Sequence, residues 1–206
     1  RGTCAELRQW ATSLPPLEEG TTFLNFTASH DGIGVRPLHG LLPHEDLEWL
    51  VEEVEQRHGH VSMRRTEDGS ESPYELNITY ASALSHAQDP ALGRQRFLCS
   101  QAVAVSMRGI PALYFNSLIG TENDLQGVQE HGHFRAINRK RWNKQDVEDL
   151  ITQEDGNASK IFEAIRALLR RRANYPAFHP DALQETLNIG DHVFAFVRIA
   201  KDSSQR

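Results

Sequence analysis

The chain has 206 residues, 39% of them apolar and 24% charged, with a formal net charge of -6. That length holds one sizeable core, and the composition is that of an ordinary globular protein. The acidic balance argues against a nucleic-acid or anionic-membrane partner, and no apolar run approaches the ~20 residues of a membrane-spanning helix or opens the chain as a secretory signal.

In chain order, Cys4 to Ser13 predicts a short helix with Leu7, Trp10 and Ala11 on one face, ended by Pro15-Pro16. Thr22 to Gly34 begins as a buried strand would, with apolar and β-branched residues, and ends in His30-Asp31 followed by two glycines. A strand tip that delivers a carboxylate and a neighbouring donor to a ligand has this layout, and the glycines let the backbone turn sharply there. A buried strand ending in a plain Asp-Gly turn accounts for the same residues. His44 to His58 predicts an amphipathic helix, with Leu47, Leu50, Val51 and Val54 in one stripe and Glu45 and Asp46 in the first turn. Val61 to Pro73 is polar, a loop or short hairpin, and Tyr74 to Leu84 is more apolar. Ala91 to Met107 predicts a helix that is apolar nearly all round and well buried. Ala112 to Ser117 reads as a second buried strand. Strand, helix and strand in succession are the βαβ grammar of a parallel sheet, an α/β fold. Ile119 to Asn143 reads as one long loop, of a length that is usually functional or disordered. A short helical turn is expected over Asp146 to Ile151. Asn157 caps a helix from Ala158 to Arg172, and a hairpin around Gly190-Asp191 spans Leu183 to Ile199.

Several residue types invite chemistry of their own. Cys4 and Cys99 lack metal spacing and read as two free buried thiols in a reducing, cytoplasmic compartment. Asn25, Asn77 and Asn157 fit the glycosylation pattern, but two of them fall in stretches expected to be buried or at a site. His58-Gly59-His60 and His131-Gly132-His133 lack the i, i+4 spacing of a helical zinc site, so no metal is expected, nor a cofactor. His131 or His133 reaching a substrate from the long loop is the better reading. Glu122 and Asp124 read as a solvated loop pair.

The stretch Phe26-Thr27-Ala28-Ser29-His30-Asp31-Gly32-Ile33-Gly34-Val35-Arg36-Pro37 resembles the strand-seven signature of glycoside hydrolase family 13, the α-amylase clan. Further matches follow in order: Tyr74 to Tyr80, Gly109 to Ser117, and Arg135 to Arg139. The nearest likeness is to the branch that holds sucrose phosphorylase and glucosylglycerate phosphorylase, and it covers nearly the whole chain but only the last part of the family's pattern.

The resemblance implies the C-terminal part of a (β/α)8 TIM barrel, strands seven and eight with their helices, over residues 1–178. The start of a small β-domain follows over residues 179–206. It implies Asp31 as the transition-state stabiliser of retaining glucosyl transfer and His30 as its sugar-binding neighbour. Tyr74, Glu75, Arg135, Asn138 and Arg139 fall on substrate-binding positions, Arg135 and Arg172 on phosphate-contacting ones, and Arg36 follows the opening strand. Sucrose phosphorylases carry an acidic residue where Ser72 stands and an amide where Glu75 stands, so an anionic acceptor such as glycerate is favoured over fructose.

The family's nucleophile and acid/base lie on strands four and five, whose motifs are absent here. The chain alone is therefore expected to be inactive, with a missing N-terminal barrel segment or another chain as partner and an α-glucoside and inorganic phosphate as substrates. An amylase-clan glucosidase or transglucosidase, or a non-catalytic carbohydrate-binding fragment, are the alternatives.

Overall fold

The computed structural model describes residues 2–66 and 69–205. In chain order the elements begin with helix α1 (Ala5–Ser13), strands β1 (Leu24–Asn25) and β2 (Ile33–Gly34), helix α2 (His44–Gln56), and strands β3 (His60–Arg65) and β4 (Glu71–Asn77). They continue with helices α3 (Tyr80–Ala83) and α4 (Pro90–Ser106), strand β5 (Ile110–Pro111), helices α5 (Phe115–Leu118), α6 (Leu125–His131), α7 (Lys144–Thr152) and α8 (Asn157–Asn174), and strands β6 (Leu183–Leu187) and β7 (Ala195–Ile199). The chain folds as two units. One comprises Arg1–Asn25, Val103–Ala112 and Leu168–Arg206, the other Phe26–Ala102 and Leu113–Ala167.

In the first unit β1 and β5 pair in parallel, Leu24 opposite Ile110. The β6–β7 hairpin is antiparallel, Leu183 opposite Ile199. α1 is tied to this hairpin because Arg8 donates to the Gly190 carbonyl at 2.7 Å and to Asp191 Oδ1 at 2.6 Å. Two arginines close the C-terminal end of α4. Arg172 donates to the carbonyls of Val105, Met107 and Gly109, and Arg198 to those of Ser106, His179, Ala182 and Leu183. The carbonyls of Val105, Ser106, Met107 and Gly109 are those that the end of α4 and its exit turn leave without intrahelical donors, and the other three lie in the segment that enters β6. Burial, with Arg172 and Arg108 nearby, pushes the Arg198 guanidinium pKa down to about 10.

In the second unit β2, β4 and β3 form an antiparallel sheet with β4 central. Alternation along β4 puts Leu76 and Ile78 on one face and Glu75 and Asn77 on the other. The Leu76 face builds the core: Val35, Val54, Leu76 and Ile78 are buried together, with Val51 of α2 and Val61 of β3 against them. The apolar stripe of α2 thus covers one face of the sheet, which leaves the Glu75 face to the site.

Several expectations need correction. The expected long strand from Thr22 to Gly34 is two short pieces with a turn between them. Leu24 and Phe26 are 63% and 59% exposed rather than buried, β1 having a strand neighbour on one side only among the described residues. The second strand lies at Ile110–Pro111 rather than Ala112–Ser117. The ladder ends once Ala112 has donated to the Asn25 carbonyl at 2.7 Å, and Phe115–Leu118 then turn into α5.

The stretch from Ile119 to Asn143 is not one loop. Asp124 caps α6 by accepting from the Gly127 N–H at 2.9 Å, left-handed Gly132 ends it, and the His133 ring caps a 3-10 turn over Phe134–Asn138. The polar stretch after Val61 is largely strands β3 and β4, paired antiparallel, and its residues 67–68 lie outside the described residues.

α4 buries a strict i, i+4 stripe of Gly93, Phe97, Gln101 and Val105, which leaves Cys99 exposed on another side, and Cys4 is half-buried. The two thiols are free but not buried. Cys99 is accordingly expected to take up a maleimide in the folded protein before Cys4 does. Mass spectrometry of the singly labelled chain reads this, and labelling confined to Cys4 would contradict it.

No helix among the described residues is long and apolar enough to cross a membrane.

Candidate active site

The site grows from the turn between β1 and β2. Ser29 and Gly32 exchange backbone hydrogen bonds at 3.1 and 3.2 Å, and the Ser29 hydroxyl accepts from the Asp31 N–H at 3.2 Å. Gly32 sits at φ +124°, and a Cβ there would lie 2.3 Å from the Leu76 carbonyl oxygen. Only glycine lets the turn come this close to β4. The turn throws His30 and Asp31 outward, with His30 Nε2 3.5 Å from Asp31 Oδ1.

β4 supplies the second wall. Glu75 is buried on the face away from the core, yet its carboxylate is fully engaged. Arg135 forks onto it, Nε to Oε1 at 2.9 Å and Nη2 to Oε2 at 3.0 Å, and Nη2 also donates to the Tyr74 hydroxyl at 3.1 Å. This bidentate geometry is the strong form of a charged pair. The hydrogen bond and charge of Glu75 hold the Arg135 guanidinium pKa above its ordinary value.

The 3-10 turn Phe134–Asn138 supplies the third wall. Arg139 donates through Nη2 to Asp31 Oδ1 at 2.8 Å and through Nε to the His30 carbonyl at 3.3 Å. Arg135 Nη1 is 3.8 Å from the same Asp31 oxygen. Asn138 is buried, and its carbonyl accepts from the Tyr114 hydroxyl at 2.7 Å, which pins the turn from behind. Burial raises the Tyr114 hydroxyl pKa, favouring the protonated donor that this contact needs.

His30, Asp31, Tyr74, Glu75, Arg135, Asn138 and Arg139 therefore meet in one network of two carboxylates and two guanidiniums. Arg172 belongs to the first unit, and its terminal nitrogens are spent on backbone carbonyls. His133 Nδ1 is committed to its cap. A cavity of about 630 Å³, lined in part by Gln56, His58, His86 and Glu122, includes none of the network residues. Among the described residues no three His, Cys, Asp or Glu side chains gather as metal ligands would.

Sequence reasoning missed Asn77. Its side chain is fully buried and donates to Glu75 Oε1 at 2.7 Å and to the Asp31 carbonyl at 3.1 Å. The available signals were its place two residues after Glu75, on the same face of a strand, and its inclusion in the Tyr74 to Tyr80 match.

No family model matches the chain. The crystal structure of sucrose 6F-phosphate phosphorylase from Thermoanaerobacter thermosaccharolyticum matches at a TM-score of 0.71 and 21% identity, covering 100% of this chain and 43% of that one. That likeness assigns the fold alone, part of an α/β domain. A glucosylglycerate phosphorylase from Spirochaeta thermophila is 39% identical over 201 residues, 97% of this chain and 34% of that enzyme. A sucrose phosphorylase from Agrobacterium vitis is 29% identical over 189 residues, 86% of this chain and 35% of that enzyme. The chain is homologous to the C-terminal part of the glucosylglycerate and sucrose phosphorylases of glycoside hydrolase family 13. It spans about a third of the length of the curated relatives it matches.

Proposed function

We propose that the chain is the C-terminal part of a retaining α-glucoside phosphorylase that acts on glucosylglycerate or a close analogue. The observation that carries this reading is the convergence of Arg139 and Arg135 on Asp31 at the tip of a turn. Retaining transfer breaks the glycosidic bond as a carboxylate attacks the anomeric carbon and an acid protonates the departing acceptor. A phosphate oxygen then displaces the enzyme carboxylate to give glucose 1-phosphate. Asp31 supplies fixed negative charge as the oxocarbenium ion develops, and His30 donates to the same sugar hydroxyls. Glu75 and Tyr74 orient the acceptor. Arg135 and Arg139 suit the two anions the reaction needs, a carboxylate on the acceptor and phosphate at the anomeric carbon. Arg172 would reach phosphate only by giving up the carbonyls it caps, so the phosphate contact rests on Arg135.

In this reading residues 1–178 carry strands seven and eight of the barrel and residues 179–206 begin the β-domain. The remaining strands, with the nucleophile and the acid/base, come from another segment or chain. Leu24 and Ile110, 63% and 46% exposed on the β1–β5 pair, support this, because such short paired strands do not close a sheet by themselves. The free cysteines fit the cytoplasmic location included in the proposal.

The complete protein is expected to release glucose 1-phosphate from glucosylglycerate only when phosphate is present. Free glucose released equally with and without phosphate would make it a hydrolase instead. Turnover by the isolated 206-residue chain would overturn its assignment as an incomplete site.

A further inference from the structure

Asn77 uses both donors of its amide on the site, and it spends them on two residues with different jobs. One proton of Nδ2 goes to Glu75 Oε1 at 2.7 Å, and the other goes to the Asp31 carbonyl at 3.1 Å. Oδ1 accepts from the Ser62 hydroxyl at 2.6 Å. The orientation of the amide follows from its partners, since both groups facing Nδ2 are acceptors and the group facing Oδ1 is a hydroxyl donor. Ser62 stands opposite Glu75 in the β3–β4 ladder, where the register shifts between Ser62 and Met63. Such an irregularity re-aims the side chains beside it. The amide is fully buried, so none of these contacts competes with water. The Asp31 carbonyl has one more side-chain donor, Asn138 Nδ2, at 3.5 Å.

We propose that Asn77 is a positioning residue that anchors the Asp31 turn and the Glu75 carboxylate to one amide, so that the sugar-stabilising and acceptor-orienting groups keep a fixed spacing. This rests on the roles given to Asp31 and Glu75 above. Ser62 holds the amide from behind through its Oδ1.

The test uses the complete protein. Asn77→Asp keeps the shape of the side chain but turns its donor end into an acceptor facing Glu75 Oε1 and the Asp31 carbonyl. With α-glucosyl fluoride as donor, whose leaving group needs no acceptor pocket, kcat is expected to fall about 10–100-fold while the donor KM holds, as for other groups that orient reacting residues. In the synthetic direction the KM for glycerate is expected to rise. Ser62→Ala, which removes only the outer strut, should show the same pattern at smaller size in a protein of normal stability.

A merely structural asparagine predicts a lower Tm with kcat per folded molecule retained, and that result overturns the proposal. Crystal structures of both variants supply a readout independent of turnover. Displacement of the 29–32 turn is expected, and a turn and a Glu75 carboxylate that both stay in place would refute the anchor. A wild-type protein that releases no glucose 1-phosphate sinks the proposed function, and the crystallographic comparison still decides the role of Asn77.

Discussion

Replacing Asp31 with Asn in the complete protein is expected to cut glucosyl transfer by about 10²–10³-fold, the usual size for a preorganised electrostatic group. The amide keeps the volume of the carboxylate but removes the charge that the proposed function sets against the developing oxocarbenium ion. The fold should survive. Asp31 is held in place through its backbone, by the Ser29 hydroxyl and by the Asn77 and Asn138 amides, and the substitution leaves all of these intact. What changes is the partner of Arg139, whose Nη2 now lies 2.8 Å from a charged oxygen. The guanidinium then faces a neutral amide, and an anion from solution can satisfy it. Rates of glucose 1-phosphate release together with far-UV circular dichroism check the result. An undiminished rate in a normally folded Asp31→Asn protein would remove Asp31 from the chemistry.

Gly32→Ala is expected to cost stability on a scale that few single substitutions reach, about 3 kcal/mol or more. At φ +124° an L-residue is strained before any neighbour is considered, and here the new methyl would fall 2.3 Å from the Leu76 carbonyl oxygen and 3.3 Å from Asn138 Nδ2. The carbonyl belongs to the central strand of the sheet and cannot swing aside as a flexible side chain would. In a chain of this size the loss corresponds to a fall in Tm of roughly 6–12 °C. Gly34→Ala is the matched control, since a Cβ there meets nothing within 4 Å, and it should change stability by less than about 0.5 kcal/mol. Thermal unfolding of the two variants side by side separates them. Equal Tm values would mean that the turn relaxes without cost.

The helices were the most legible part of the chain, because their stripes are long. α2 begins at His44, as its apolar spacing and acidic first turn predict. The hairpin of β6 and β7 was marked by Gly190-Asp191 between apolar runs. The errors lie where local pattern and tertiary pairing pull apart. Ala112 to Ser117 is as apolar as a strand, yet the chain leaves the ladder after Ala112 and Asn116 turns inward to donate to the Asn138 carbonyl at 3.2 Å. The stretch from Ile119 to Asn143 is polar enough to pass for a loop, although Asp124 and Gly132 were in place as a cap and a stop. The meeting of His30 and Asp31 with Arg135, more than a hundred positions later, could not be read from spacing, and it reached the sequence reading only through family likeness. Asn77 was hidden for another reason. In sequence it is a polar residue in a glycosylation pattern, and only folding shows its amide sealed from solvent between two site residues.

Arg172 and Arg198 have a consequence for the order in which the protein can be made. α4 is fully synthesised by residue 106, but the carbonyls at and just beyond its C-terminal end receive their donors from residues 172 and 198. A nascent chain therefore carries a helix whose far end stays hydrated until nearly the last residue of this stretch has left the ribosome. The exposed end of α4 then becomes a marker of unfinished synthesis, and isotope-edited infrared spectra of its terminal carbonyls in stalled chains of increasing length would show their hydration falling in two steps.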